Sequence, residues 1–236
     1  MKTSFDLDSG LQALAGNLGA PRVYFDLRDY LRARFKTVDT ALMREKRAIF
    51  VHVPKCAGTT IVRQAPIAAW HFSAGFMRRH SPELWGSAFT FGFARDPHDR
   101  LVSAFHYLRS DKAHPRDRRW GQANLREFAD FAAFMAALDA SHRRARLLAW
   151  LHFLPQTYYL CDRQDRVLVD FVGRTEQFAT GLEQINARSG LGLENRHENR
   201  TERPAEQAFY TPQTARLVED IFAADFATFG YPTGRY

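Results

Sequence analysis

A chain of 236 residues, 45% hydrophobic and 25% charged, has the apolar content of an ordinary globular protein and is long enough to bury one sizeable core. Its 33 Lys and Arg against 26 Asp and Glu leave a formal charge of +7, which favours anionic partners without defining a site. The two cysteines, Cys56 and Cys161, lack zinc-like or redox-like spacing. Residues 1–20 lack the apolar run of a signal peptide, and no window approaches the ~18 uninterrupted apolar residues of a membrane span. The expectation is a soluble, cytoplasmic protein with no membrane span, folded as a single domain over residues 1–236: a helical extension at 1–47 and a core at 48–236.

Along the chain, Pro21 can open a helix in which Tyr24, Leu27, Leu31 and Phe35 form the packing stripe. Ala48 to Val53 is a β-favouring run with few polar interruptions, as expected of a parallel strand covered on both faces, and Pro54 stops it. Helix-compatible composition follows from Gly58 through Ile61 and Val62 towards Pro66. A second buried strand reads from Ala88 to Ala94, followed by the polar turn Arg95-Asp96-Pro97 and a helix marked by Leu101, Val102, Phe105 and Leu108. Ser110 to Gln122 shows no steady period and reads as a loop; helical patterning resumes from Leu125 to about Phe153. A third strand is predicted at Val167 to Val172, ended by Gly173, with a helix after it through Phe178, Leu182 and Ile185. Glu194 to Glu206 reads as a loop, and a last amphipathic helix uses Leu217, Val218, Ile221, Phe222 and Phe226. Strands alternating with helices predict an α/β fold of three layers with a central parallel sheet.

The chemistry gathers where strands turn into helices. Val53 to Thr60 joins a buried strand to a helix start, where unpaired amides and the helix dipole favour anions. Gly58 permits close backbone approach, Thr59 and Thr60 add hydroxyls, and Lys55 adds a mobile charge. The lysine precedes the glycine here, unlike the loop of nucleotide triphosphatases. The second site lies at the end of the second strand, the edge at which open α/β sheets bind ligands. There Arg95 offers a bidentate fork to a phosphate, and Ser103 lies roughly two helical turns further on.

Pro54-Lys55 through Thr60 resembles the 5′-phosphosulfate loop of sulfotransferases that use 3′-phosphoadenosine 5′-phosphosulfate (PAPS), and Arg95-Asp96-Pro97 through Ser103 resembles their 3′-phosphate motif. The likeness is to the carbohydrate type, similar to heparan sulfate 2-O-sulfotransferase and its bacterial relatives. It runs weakly from Ile49 to Tyr231 through Gln156 to Asp162, Val169 to Arg174 with Glu176, and Asp225-Phe226 with Phe229-Gly230-Tyr231.

The resemblance implies a fold like that of P-loop nucleotide hydrolases, PAPS as donor, 3′,5′-bisphosphoadenosine (PAP) as product and no required metal. Lys55 would stabilise the leaving phosphate, and Cys56, Ala57, Gly58, Thr59 and Thr60 would cradle the 5′ group. Arg95 and Ser103 would hold the 3′-phosphate, and the late loop with Arg200 and Thr201 would close over the nucleotide. Cys56 stands where many relatives have Thr. His71 lies where the similar enzymes place a catalytic histidine before a short helix, and a histidine titrates nearest neutrality, so His71 is the preferred general base, with an Asp or Glu of the cleft as alternative.

His52 reads as a strand residue, and His80, His98, His106 and His114 as solvated or helix-surface histidines. The cations from Lys112 to Arg119, with Trp120, Arg143, Arg144 and Arg146, suit an anionic, hydroxylated glycan or glycoside acceptor, or simply a solvated face. Competing readings are a Mg²⁺-dependent nucleotide kinase or triphosphatase, a nucleic-acid-binding module, which no recognised motif supports, and a non-catalytic PAP sensor.

Overall fold

The structure is a computed structural model that describes residues 21–34, 38–68, 70–195 and 206–236. Arg200, Thr201 and most of the loop expected between Glu194 and Glu206 lie outside the described residues. The described chain divides into two compact units, a sheet unit of residues 25–95 and 155–195 and a helical unit of 21–24, 96–154 and 206–236.

In the sheet unit, β1 (Ala48–Val51), β2 (Phe89–Ala94) and β3 (Phe171–Arg174) form a parallel sheet in the order β1-β2-β3. Phe50 faces Phe91 and Gly92 faces Val172 in register. Every residue of β1 is buried, and five of the six in β2, which is why both read as near-continuous apolar runs. The helices of this unit are α1 (Pro21–Ala33, entering from the helical unit), α2 (Ala41–Lys46), α3 (Gly58–Gln64), α4 (Ala74–His80), α5 (Pro82–Ser87), α10 (Gln156–Leu160) and α11 (Phe178–Ser189). The expected class, α/β with a parallel sheet and helices around it, is the observed one.

Three local expectations shift for tertiary reasons. β1 ends at Val51 because Val53 N–H turns back onto the Val51 carbonyl at 3.1 Å, so His52 lies just past the strand. β3 starts later than its apolar run. Val167 bridges to Cys161, Leu168 N–H bonds Leu160 O at 2.9 Å, and the Asp170 carboxylate accepts Thr90 N–H and Oγ1 at 2.8 Å each. Gly173 lies inside β3 instead of ending it, since a Cβ there would fall 2.5 Å from the Phe93 ring; at Gly181 of α11 it would fall 2.7 Å from the same ring. These two glycines let α11 close onto the sheet.

Of the stripe expected on α1, Leu31 is half-buried, and the side chains of Tyr24 and Phe35 lie outside the described residues. Leu27 is 46% exposed, while Arg28 and Asp29 are buried as an ion pair at 3.0 Å. Asp29 also accepts the Tyr158 hydroxyl at 3.1 Å and the Ser73 amide at 3.3 Å, and it is this satisfied network that makes burial of the charges tolerable.

The helical unit contains α6 (Pro97–Arg109), α7 (Pro115–Asn124), α8 (Phe131–Asp139), α9 (Ser141–Leu148), α12 (Pro212–Ile221) and α13 (Ala223–Phe229). Helix α7 occupies the segment expected to be a loop. Pro115 sits in its first turn and Trp120 buries flat on Trp150, ring centroids 4.8 Å apart. At Gly121 a Cβ would come within 2.0 Å of the Leu108 carbonyl oxygen, so α7 can lie this close to α6 only through a glycine. The partners that stabilise α7 are remote in sequence, which explains its lack of local period.

His98, expected at the surface, is fully buried. It reaches the Ala215 carbonyl at 3.3 Å and packs against Tyr210, Phe226 and Tyr236. Asp96 caps α6 by accepting His98 N–H at 2.9 Å and pairs with Arg235. Burial by itself would raise the Asp96 carboxyl, but the His98 hydrogen bonds and the Arg235 cation outweigh it and hold the group below its ordinary value. Because the folded value is depressed, the stabilisation is present above the ordinary carboxylate range near pH ~4 and is lost as pH falls through the folded value. Asp96→Asn is expected to lower the melting temperature at neutral pH, with the gap to wild type closing as pH falls below the ordinary carboxylate range. A gap constant across that acid range would exclude the ion pair as its cause.

Candidate functional site

The loop from β1 to α3 is built on unusual backbone. Lys55 and Ala57 have φ of 70° and 56°, left-handed values that cost a residue with a Cβ about 1 kcal/mol or more. Left-handed residues interleaved with ordinary ones are the build of backbone nests that bind anions. The price of this loop is met by tertiary bonds: the Arg95 guanidinium donates from Nη1 to the Lys55 carbonyl at 3.1 Å. The sheet unit thus brings together the ends of β1 and β2, the two places at which phosphate-binding residues were expected.

A residue without an assigned role joins them. Gln156, fully buried at the start of α10, accepts Arg95 N–H at 2.8 Å through Oε1 and donates from Nε2 to the Arg95 carbonyl at 2.8 Å. The same Oε1 accepts the Cys56 thiol at 3.2 Å. Its carboxamide therefore continues β2 as a further strand residue would and ties it to the loop. The sequence likeness covers Gln156, but only the fold reveals what it bonds.

The remaining expected site residues divide by position. Gly58 and Thr60 are buried in the first turn of α3, Thr59 is exposed, and Lys55 and Ala57 are half-buried. Cys56 is buried and turns its side chain inward to Gln156, and its amide donates to Val53 O at 3.3 Å. Ser103 lies half-buried in α6 of the helical unit. Among the described residues no group of three or more His, Cys, Asp or Glu could hold a metal ion, and no helix is long and apolar enough to cross a membrane.

His71 comes from an irregular segment ahead of α4, as expected. Its Nδ1 lies 2.9 Å from the His52 carbonyl oxygen. A carbonyl can only accept, so Nδ1 carries a proton and Nε2 of the neutral ring carries the lone pair. The His52 ring stands 4.3 Å from the His71 ring. Burial first, then the charges of His71 and Lys55, push His52 well below its ordinary value, so it is neutral at physiological pH. His52, read from the sequence as a plain strand residue, thus lies just past β1 with its ring against His71.

On the acceptor side, Trp120 is buried against Trp150 and cannot present a face to a sugar. The neighbouring arginines serve local structure: Arg143 pairs with Glu127 at 3.2 Å, Arg144 bonds the Leu138 carbonyl at 2.7 Å, and Arg146 bonds Asn124 at 3.1 Å. Trp70, immediately before His71, is 54% exposed and has a φ of 51°.

Gln156→Leu would strip both hydrogen bonds from the Arg95 backbone. It is expected to destabilise the fold by roughly 2–4 kcal/mol. Denaturant unfolding checks this; unchanged stability would mean that the β2 end does not depend on Gln156.

A model of the sulfotransferase family matches residues 39–232 and runs through both units. No curated protein and no solved structure matches the chain. With most of its length matched, including both strand-end loops and His71, the chain belongs to the sulfotransferase family and is an enzyme that transfers a sulfuryl group to a hydroxyl-bearing acceptor.

Proposed function

We propose that the donor is PAPS and that both units act as one sulfotransferase domain. Lys55 to Thr60 receive the 5′-phosphosulfate, Arg95 and Ser103 hold the 3′-phosphate, and Arg200 and Thr201 contribute to nucleotide binding. The acceptor oxygen attacks sulfur in line, forming an S–O bond as the bond to the bridging phosphate oxygen breaks, and PAP leaves. Lys55 neutralises the charge that develops on the departing phosphate, and Nε2 of His71 takes the acceptor's proton. No metal takes part in this scheme. The hydrogen bond from His71 Nδ1 to His52 O carries the assignment of the base, since it gives a neutral His71 a basic Nε2. The tie from Arg95 to the Lys55 carbonyl supports treating the two loops as one nucleotide site.

We further propose a carbohydrate acceptor, of the heparan sulfate 2-O type suggested by the sequence resemblance. Two features support this class: the basic balance of the chain and the exposed indole of Trp70 beside the base, a flat apolar surface of the kind that sugar rings stack upon.

Metal-free calorimetry is expected to show PAP binding that Arg95→Ala and Lys55→Ala weaken, while ATP with Mg²⁺ does not compete. Binding of Mg²⁺ triphosphates alone would replace the donor assignment with a kinase. His71→Ala is expected to lower sulfate transfer from PAPS to N-sulfated heparosan by ~10²–10⁴-fold with PAP affinity retained. Loss of PAP binding in that variant would count against a role as base.

Trp70→Ala is expected to raise the acceptor KM and leave PAP affinity unchanged. An unaltered KM would remove the indole from the acceptor site.

A further inference from the structure

The base proposed above comes from a segment with little regular structure of its own. Residues 65–68 are neither helix nor strand, and Trp70 ahead of His71 is left-handed. The ring of such a residue is free to turn about its side-chain torsions unless something packs against it. His52 supplies that packing from a stiff support, the position directly after the fully buried strand β1. Its imidazole stacks on Phe50 at 5.4 Å and faces His71 at 4.3 Å with a 48° tilt. On the remaining side it closes on the first residue of α3, where a Cβ added to Gly58 would fall 2.1 Å from His52 Cδ2 and 2.2 Å from Nε2. The absence of a side chain at Gly58 therefore makes room for the His52 ring as well as for the backbone of the loop.

We infer that His52 is a positioning residue for the transfer step, its imidazole wedged between the His71 ring and the first turn of α3 so that His71 keeps one orientation and one tautomer. The inference rests on His71 being the general base. Two contacts from one residue divide the work: the His52 carbonyl accepts the hydrogen bond from His71 Nδ1–H, and the His52 ring keeps the imidazole from rotating away from that bond. The wedge has to be neutral, because a second cation beside His71 would oppose the positive charge that His71 acquires on accepting the acceptor's proton. The burial of the His52 ring favours the neutral form.

The test uses the full chain with ¹⁵N-labelled histidine side chains, read by NMR at about pH 8, where an ordinary imidazole is neutral. Wild type is expected to show His71 as the single Nδ1–H tautomer. His52→Ala should lose it to a mixture with the Nε2–H form, while His52→Phe, which restores a flat ring, should recover the wild-type pattern. Gly58→Ala should also disturb the tautomer in the wild-type background, because its Cβ displaces the His52 ring, and should add little once His52 is alanine. PAP calorimetry on each His52 variant, with affinity retained, shows that the nucleotide loop has kept its fold. His71 staying in one tautomer in His52→Ala, or His52→Phe losing it as fully as His52→Ala, would overturn the inference. Undiminished sulfate transfer to N-sulfated heparosan by His71→Ala is a different failure, since it removes the base itself while leaving the tautomer result intact.

Discussion

The carboxamide of Gln156 replaces a missing strand residue, and the junction of the two strand-end loops depends on it. β2 ends at Ala94, and beyond a strand end the backbone groups of the next residue must find partners or bear the cost of desolvation, about 1–3 kcal/mol for each group left unpaired. At Arg95 both partners come from one side chain. Because the same oxygen accepts the Cys56 thiol, and because the Arg95 side chain reaches the Lys55 carbonyl, the ends of β1 and β2 are bound to each other. A loop with two left-handed non-glycine residues needs such external bonds to persist.

The second support of the site runs through charge burial. Arg28 and Asp29 would each be costly inside the protein, yet together, with the Tyr158 hydroxyl and the Ser73 amide, they leave few polar groups unsatisfied. Ser73 in turn caps α4, its hydroxyl accepting the Phe76 amide at 3.2 Å, and His71 lies two residues before it. The position of the proposed base is therefore linked to α1, which the sequence suggested only as a packing helix. Its apolar spacing gave no hint that the adjacent charges Arg28 and Asp29 are buried.

In the helical unit the same logic acts on the motif that follows Arg95. Asp96 and His98 are polar residues inside a polar-looking turn, and nothing in their spacing distinguishes a solvated histidine from a buried one. The difference is made by Ala215, Tyr210, Phe226 and Arg235, more than a hundred residues further along the chain. Trp120 shows the converse. Set among exposed cations in the sequence, it offered itself as a sugar platform, yet stacking on Trp150 gains more apolar burial than exposure would allow.

What the sequence determined by itself was the class of the fold, the two strand-to-helix loops and the family. Those signals are local: an apolar run the length of a strand, a Pro or Gly that ends it, and charged residues at fixed spacing beyond. The placement of Lys55, Gly58 and Arg95 just past buried strands was legible in this way, whereas His71 was singled out by the resemblance. Gln156 and His52 were not, because a buried amide and a wedged imidazole acquire meaning only from partners brought up by the fold, 61 residues away for Gln156 and Arg95 and 19 for His71 and His52. Helix α7 and the late start of β3 were hidden for the same reason, since long-range packing overrode local pattern. Tertiary structure alone decided which polar groups are satisfied inside, and that decision is what turns two loops and a histidine into one arrangement.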